Sequence, residues 1–398
     1  MGAGVRSEFW SLFYVGQKII IRKQQCRILA QNIALLFGSL LFCFFVIEIG
    51  YRVLDPFPFF RLDEINNAWG AAHPLAMYDS ELGWKGVPKA RAEYATLSGR
   101  VSIALNAYGF RDLEHEDQKV DHPAIVFLGD SFTWGYEVEF DDMFVTKLRN
   151  SLPAYEIFNL AYQGYGTDQE LLTFKRWHHN GPLDLVVLMF CENDVEDNNS
   201  LVRYNIPKPR YKLVENELVL TGVPVPKTEE WTHPHEEIGR QSWRKKLADT
   251  LFYSHFIHDV YWRASQFLSS NKPSTELKDT QRQDDLTLTS RILEELKKEV
   301  EGRGAKLLVF FIPSKREIER LDNFVPYQIE IAELCRKLGI EHVDLAPAFE
   351  ATWYRTYYRE SMHWNSYGHR VAAEAIYDYL RSLPRPVRPE NAVVAYSR

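Results

Sequence analysis

Five short hydrophobic runs alternate with longer amphipathic stretches between residues 123 and 382. The runs are apolar throughout and rich in β-branched and aromatic residues, as is typical of strands buried on both faces. They are 124–129, 155–160, 183–190, 305–312 and 340–345. Helical periodicity occurs at 140–150, 168–180, 284–302, 326–338 and 366–382. This alternation predicts an α/β fold, with a parallel sheet covered by helices on both faces.

One long interval interrupts the alternation. Residues 197–283 separate the third predicted strand from the next helix, and we interpret them as an insertion or cap. Within it, 212–220 predicts a hairpin that turns at Asn216, and an aromatic-rich helix is predicted from about residue 241 to 268. Loops on a rigid sheet commonly carry functional variation, so the insertion is a candidate for part of a binding site.

Residues 28–47 have a different pattern, with no charged residue and with Leu and Phe on all sides of a helix. About 20 such residues rise roughly 30 Å, enough to cross a hydrocarbon core. We therefore predict one transmembrane helix over 28–49, with a cleaved signal peptide or a buried soluble helix as alternatives. Basic residues dominate the preceding flank: Arg6, Lys18, Arg22, Lys23 and Arg27.

By the positive-inside rule, that flank is a cytoplasmic tail, residues 1–27. The rest of the chain is then periplasmic or extracellular. It comprises a juxtamembrane segment at 50–120, the α/β domain at 121–382 and a tail at 383–398. The expected protein is therefore a single-pass membrane protein.

Composition and charge further restrict the class of protein and the partners expected for it. The chain has 398 residues, of which 45% are hydrophobic and 25% charged, a globular balance. Its net charge of -7 predicts no nucleic-acid partner, because such binding needs a basic face. The four cysteines and the histidines lack metal-ligand spacing, and we expect neither a metal nor a cofactor. Cys191 and Cys335 are compatible with a disulfide, although two buried thiols are favoured.

The strongest local motif, Gly-Asp-Ser-Phe at 129–132, follows the first predicted strand. Ligands of open α/β sheets bind outside the carboxyl ends of the strands, which is where this turn presents Ser131. A serine at that place can act as a nucleophile. The turn alone does not show that Ser131 is catalytic, because this serine can also cap the helix that follows.

Later segments supply the partners that a serine nucleophile requires. Gly164 follows the second strand and Asn193 the third, offering a backbone N–H and an amide that can stabilise an oxyanion. His363 opens the last helix and can take the serine proton, and Glu360 precedes it as a carboxylate that can orient the imidazole. The structural alternatives are turn residues for Gly164 and Asn193, packing for His363 and a surface charge for Glu360.

Taken in order, these segments resemble those of the SGNH (or GDSL) hydrolase family, over roughly residues 121–382. The resemblance implies a flavodoxin-like three-layer α/β/α sandwich and a serine esterase or acyltransferase mechanism. The Leu-Gly-Trp piece at 82–84 and the Asn-to-Arg piece at 106–111, together with the membrane helix, look like bacterial envelope members of this family.

The resemblance also implies roles for individual residues. Ser131 would be the nucleophile and His363 its base, and the Ser131 N–H, the Gly164 N–H and the Asn193 amide would form the oxyanion hole. Two positions depart from the family pattern. Cys191 stands where glycine usually begins the third segment, and Glu360 stands where aspartate usually orients the histidine.

We expect a serine-dependent carboxylic ester hydrolase that forms an acyl-enzyme and deacetylates an envelope glycan or polysaccharide. The glycan follows from the expected location, although four aromatic residues near the site can stack on sugars or pack in the core: Trp134, Tyr136, Tyr162 and Tyr165. Three alternatives stay open: an O-acetyltransferase on extracellular polysaccharide, a lysophospholipase-like lipid esterase and a non-catalytic glycan-binding protein. Hydrolase and transferase differ only in the acceptor, which the sequence does not identify.

Overall fold

The computed structural model describes residues 4–54, 75–96, 99–115, 122–228, 254, 256–257, 260, 264, 279–319, 327–352, 355–358 and 361–383. The chain divides into two compact units. The smaller, residues 1–56 and 250–262, contains helix α1 (Gly4–Leu54). From Arg27 to Leu54 this helix has a mean hydropathy of 2.4 and is long and apolar enough to cross a membrane. Membrane spans and N-terminal signal sequences share these properties.

Near its end, α1 carries a carboxylate with several partners. Glu48 accepts hydrogen bonds from Arg52 Nε at 2.8 Å, Ser254 Oγ at 2.7 Å and the Phe256 N–H at 3.1 Å. The Phe256 ring also packs edge-on against Tyr51, with the ring centroids 5.8 Å apart. Within this unit, part of the predicted insertion therefore packs on the helix.

The described elements of the larger unit follow in chain order. Its strands are β1 (Ala76–Asp79), β2 (Gly83–Gly86), β3 (Arg91–Thr96), β4 (Gly99–Ala104), β5 (Ala124–Gly129), β6 (Glu156–Asn159), β7 (Leu183–Phe190), β8 (Val202–Arg203), β9 (Ile206–Pro207), β10 (Arg210–Val214), β11 (Glu217–Thr221), β12 (Lys306–Phe311) and β13 (Glu341–Asp344). Its helices are α2 (Ser131–Trp134), α3 (Phe144–Ser151), α4 (Thr167–Arg176), α5 (Asp194–Asp197), α6 (Asp279–Gly302), α7 (Lys315–Ile318), α8 (Gln328–Leu338), α9 (Ala346–Glu350) and α10 (Ser366–Ser382).

A five-stranded parallel sheet forms the centre of this unit, with the spatial order β13-β12-β7-β5-β6. This is the order of a flavodoxin-like doubly wound sheet, which places β5 between β6 and β7. The loops after these three strands therefore share one edge of the sheet. The predicted parallel α/β fold is confirmed, and two of the five predicted strands match residue for residue.

Side chains of each strand alternate between two hydrophobic layers. Val126 and Leu128 pack with α4, α6 and α8, whereas Ile125 and Phe127 pack with α3, α9 and α10. All four side chains are at most 1% exposed. Helices cover both faces, which is why the strands are apolar at every position instead of at every second one. The result is a three-layer α/β/α sandwich.

Two predicted helices have different limits in the structure. The helix predicted at 168–180 ends at Arg176, because the next residue turns into an extended conformation. The segment predicted as helical at 140–150 begins with a 3₁₀ turn and is interrupted at Met143, which is extended, before α3 starts. Local polarity alone does not mark such breaks, since the apolar positions keep their spacing across them.

The insertion begins with two hairpins, β8–β9 and β10–β11, each antiparallel. The second confirms the predicted turn: Glu215 and Asn216 adopt left-handed conformations, as a two-residue hairpin turn requires. Cys191 and Cys335 are free and buried, so the thiol alternative is the observed one. The aromatic-rich helix predicted at 241–268 and the tail beyond residue 383 lie outside the described residues, apart from isolated positions.

Candidate active site

Ser131 is the first residue of α2 and follows β5 at the carboxyl edge of the sheet. The helix is capped by Asp130, whose Oδ1 accepts a hydrogen bond from the Phe132 N–H at 2.9 Å. Gly129 allows the sharp turn, because its φ is +157° and a Cβ atom there would lie 2.2 Å from Thr133 Oγ1. Since Asp130 supplies the cap, the Ser131 hydroxyl is not needed for it.

The partner of this hydroxyl is His363. Its Nε2 lies 2.7 Å from Ser131 Oγ, although 232 residues separate them in the sequence. The imidazole sits in a turn ahead of α10, where its backbone carbonyl accepts from the Tyr358 N–H at 3.0 Å. Phe132 and Tyr136 flank the ring, with centroids 5.0 and 4.5 Å away. The arrangement joins a hydroxyl to a base that can remove its proton.

Two side chains approach the other nitrogen of the imidazole. Ser361 Oγ lies 2.9 Å from His363 Nδ1, and Glu137 Oε2 lies 3.6 Å from it. The Glu137 side chain is fully buried. The sequence motifs predicted neither of them as a site residue, although Glu137 is the single acid within the otherwise uncharged stretch 132–138. Glu360, the carboxylate predicted to orient the imidazole, lies outside the described residues.

Gly164 lies in the loop after β6. Its φ is +71°, and a Cβ atom would lie 2.7 Å from Tyr204 Cε2, so both conformation and space require glycine. Trp84 Nε1 donates a hydrogen bond to the Gln163 carbonyl at 3.0 Å. Because a peptide group is planar, this bond also fixes the direction of the Gly164 N–H. Among the described residues, that N–H has no acceptor.

Asn193 lies after β7, on the opposite side of the nucleophile turn. Its Nδ2 donates to Asp197 Oδ2 at 2.8 Å, which leaves one of its two amide hydrogens for another acceptor. Asp197 also pairs with Arg203 at 2.8 Å. Burial raises the pKa of Asp197 to about 6, although Arg203 and Asn193 both lower it. Sequence reasoning missed Arg203 and Tyr204, which connect the β8–β9 hairpin of the insertion to two of the three candidate oxyanion donors, Asn193 and Gly164.

Buried carboxyl groups lie beneath these loops. Asp130, Glu170 and Asp194 are at most 3% exposed. Burial raises the pKa of each, and neighbouring carboxylates raise those of Glu170 and Asp194 further. Asp194 accepts from the Cys191 N–H at 3.0 Å and so holds the turn before Asn193. Within the described ranges, no group of three or more His, Cys, Asp or Glu residues is arranged to hold a metal ion.

The model of the GDSL-like lipase/acylhydrolase family matches residues 127–371, which is more than half of the chain. The chain belongs to this family. It is therefore an enzyme of the SGNH type that hydrolyses ester bonds. No curated protein sequence matches it.

Several solved structures are similar to this acylhydrolase. A lipolytic protein of the G-D-S-L family from Veillonella parvula DSM 2008 is 12% identical, with a TM-score of 0.37, covering 65% of this chain and 99% of its own. Esterase EstA from Pseudoalteromonas sp. is 11% identical, with a TM-score of 0.34, covering 65% and 96%. The acetyl xylan esterase AlAXEase is 13% identical, with a TM-score of 0.33, covering 65% and 99%.

Residues ahead of the matched region also support the acylhydrolase site. Arg111 is completely buried and donates to the carbonyls of Gly135 and Val138, the latter at 2.7 Å. Its guanidinium carbon also lies 5.2 Å from the centre of the Trp134 ring. Burial lowers the pKa of Arg111 to about 9. These bonds hold the loop that carries Glu137, so the segment 106–111 stabilises the backbone next to the site.

The four aromatic residues noted in the sequence are buried, with exposed fractions of 8% or less: Trp134, Tyr136, Tyr162 and Tyr165. They belong to the core and do not present a face to a sugar. Tyr204 differs, because 41% of it is exposed while its edge contacts Gly164. The aromatic surface next to the candidate oxyanion donors therefore comes from the insertion.

Proposed function

We propose that this acylhydrolase is a membrane-anchored serine esterase that removes acetyl groups from an envelope glycan or polysaccharide. The observation that carries the proposal is the 2.7 Å approach of Ser131 Oγ to His363 Nε2 at the carboxyl edge of the sheet. A serine hydroxyl is a weak nucleophile until a base accepts its proton, and the short distance to this imidazole supports such a transfer.

In the proposed acylation, His363 Nε2 takes the hydroxyl proton while Ser131 Oγ attacks the acyl carbonyl. The tetrahedral oxyanion accepts hydrogen bonds from the Ser131 N–H, the Gly164 N–H and the Asn193 amide. The imidazolium then gives its proton to the leaving alcohol, and the acyl group stays on Ser131. Water, activated by the same imidazole, hydrolyses this acyl-enzyme and releases the acid.

The glycan is proposed from location and from the rim of the site. Basic residues before the apolar helix and the mixed charges after it favour a cytoplasmic N-terminus and an extracytoplasmic enzyme. At the rim, Tyr204 offers an exposed ring beside Gly164, and the Arg203 guanidinium lies 4.5 Å from the centre of that ring. An aromatic face next to polar groups suits a carbohydrate better than a purely apolar acyl chain.

The decisive experiment uses the full-length chain in detergent with p-nitrophenyl acetate and a fluorophosphonate label. We expect wild type to hydrolyse the ester and to be labelled, and Ser131→Ala to do neither. Asn193→Ala should retain labelling and lose about 10²–10³-fold in kcat, because one oxyanion donor is removed. Equal hydrolysis by wild type and Ser131→Ala would refute the mechanism.

A second experiment separates hydrolase from transferase. With an acetylated polysaccharide and a second, unacetylated glycan present, a hydrolase releases acetate and leaves the second glycan unchanged. Transfer of acetyl groups to that glycan would instead assign the O-acetyltransferase alternative. A reporter fused after Arg398 tests orientation, and a cytoplasmic signal would contradict the proposed location.

A further inference from the structure

Glu137 stands where an orienting carboxylate is needed. His363 Nδ1 faces away from Ser131, and Glu137 Oε2 lies 3.6 Å from it. Ser361 Oγ is nearer, at 2.9 Å, but a hydroxyl brings no charge to oppose that of an imidazolium. We propose that Glu137 is a positioning residue, which stabilises the His363 imidazolium as the Ser131 proton is transferred. The inference rests on the proposed function of the same site.

Burial makes this carboxylate effective. The Glu137 side chain is fully buried, and His363 is 18% exposed. A charge pair sheltered from water interacts more strongly than the same pair at a surface. An imidazolium that forms beside Glu137 therefore has a counter-charge already in place, without a solvent rearrangement.

The backbone of Glu137 is held in an unusual conformation. Its φ is +70°, a left-handed value that costs a non-glycine residue on the order of 1 kcal/mol. The surrounding contacts fix it, because the Glu137 carbonyl accepts from Tyr358 Oη at 2.8 Å and Arg111 donates to Val138 at 2.7 Å. Strain kept in a buried acid beside a reacting group suggests a use for that acid.

Other charged groups lie near the imidazole, and they are the same in wild type and in a Glu137 variant. Asp130 lies on the nucleophile turn, and its electrostatic field acts on His363. Lys315 of α7 donates to the carbonyls of Tyr358 and Ser361 at 2.5 and 3.1 Å. His369 of α10 is buried behind the site. None of these is altered by a substitution at Glu137.

The test is the pH profile of kcat/KM for p-nitrophenyl acetate in the full-length chain. In Glu137→Gln, we expect kcat/KM to fall about 10²-fold and the acidic limb of the profile to move to lower pH, because the imidazolium has lost a counter-charge. Glu137→Asp should recover part of both effects, since aspartate keeps the charge and tolerates positive φ. Glu139→Gln is the matched control, because Glu139 Oε1 binds the Ser102 N–H instead.

A purely structural role predicts a different result. Loss of folded protein lowers the amount of active enzyme but leaves the limb in place, so an unmoved limb in Glu137→Gln would overturn the inference whatever the rate. If Glu137→Gln folds poorly, Glu137→Gly removes both the carboxylate and the backbone strain, and the limb must move in it as well. Failure of the proposed function is recognised separately, as hydrolysis that persists in Ser131→Ala.

Discussion

Two histidines of the larger unit, His363 and His115, have contrasting surroundings. The ring nitrogens of His363 face the hydroxyls of Ser131 and Ser361, at 2.7 and 2.9 Å, and the Glu137 carboxylate is farther from Nδ1, at 3.6 Å. Those of His115 face the carboxylates of Asp112 and Glu156, both at 2.9 Å. Burial opposes a charge on His115, but the two carboxylates outweigh it and raise its pKa above the usual value.

The two sets of partners show which surroundings allow an imidazole to act as a base. A general base needs a lone pair directed at the hydroxyl whose proton it takes, and His363 Nε2 faces the Ser131 hydroxyl. Each ring nitrogen of His115 faces a carboxylate instead, so neither is directed at a hydroxyl. His115 accordingly belongs to an ion cluster in which Asp112 also accepts from Arg149 and, at 2.8 Å, from the Asn159 N–H. This cluster covers the edge strand β6.

The largest expected effect is a loss of esterase activity that distinguishes His363 from His115. His363→Ala should lower kcat/KM for p-nitrophenyl acetate by about 10²–10⁴-fold, because general-base catalysis is lost. His115→Ala should keep the rate constant of the folded enzyme within a few-fold and lower the melting temperature instead. Circular dichroism of each variant corrects for the folded fraction. A His363→Ala enzyme as active as His115→Ala would abolish the contrast.

The next effect concerns stability and pH. The folded pKa of His115 is raised, so its stabilisation is complete below the unfolded pKa and is lost as pH rises through the folded pKa. Thermal unfolding of His115→Gln from pH 5 to pH 9 should show a deficit of about 1–3 kcal/mol at low pH that shrinks at high pH. The control is His342→Gln, since His342 Nδ1 bonds only the Ile340 carbonyl among the described residues. A deficit that grows with pH would reverse the assignment.

The smallest expected effect concerns the hydrogen bond from Trp84 to the Gln163 carbonyl, which involves no charged group. Trp84→Phe removes the hydrogen bond to the Gln163 carbonyl, worth about 1 kcal/mol, and should lower kcat roughly 5-fold by loosening the Gly164 N–H. Tyr162→Phe is the matched control, because Tyr162 Oη donates to the Leu75 carbonyl at 2.8 Å and touches a different peptide. Equal losses of kcat in both variants would argue against a specific role for Trp84. Neither variant should change the pH dependence of stability.

Much of the fold could be predicted because its signals are local. Strands covered on both faces must be apolar at every position, so the sequence marks β5 and β7 to the residue. The hairpin at Asn216 was predictable for a similar reason, since few residue types tolerate its left-handed conformation. The break at Met143 was not, because Met143 is extended and buried against Tyr358, more than two hundred residues later, a contact that the type of residue does not record.

The candidate site likewise contains residues that short motifs predict and residues that they do not. Ser131, Gly164, Asn193 and His363 were named from short motifs, and the structure brings Ser131 and His363 to hydrogen-bonding distance. Glu137 was missed because no motif connects it to a histidine more than two hundred residues later. Only folding decides which buried acid reaches that imidazole, and the position of Glu360 lies outside the described residues.

The α/β class, the apolar helix and the types of residue available for chemistry follow from the sequence, because each depends on local polarity or on a short motif. Only the folded structure shows that Trp84 holds the peptide of Gly164, that Arg203 joins the site through Asp197, and that His115 lies between two carboxylates. These relations depend on distances across the fold, and a chain can bring distant residues together in ways that local polarity does not record.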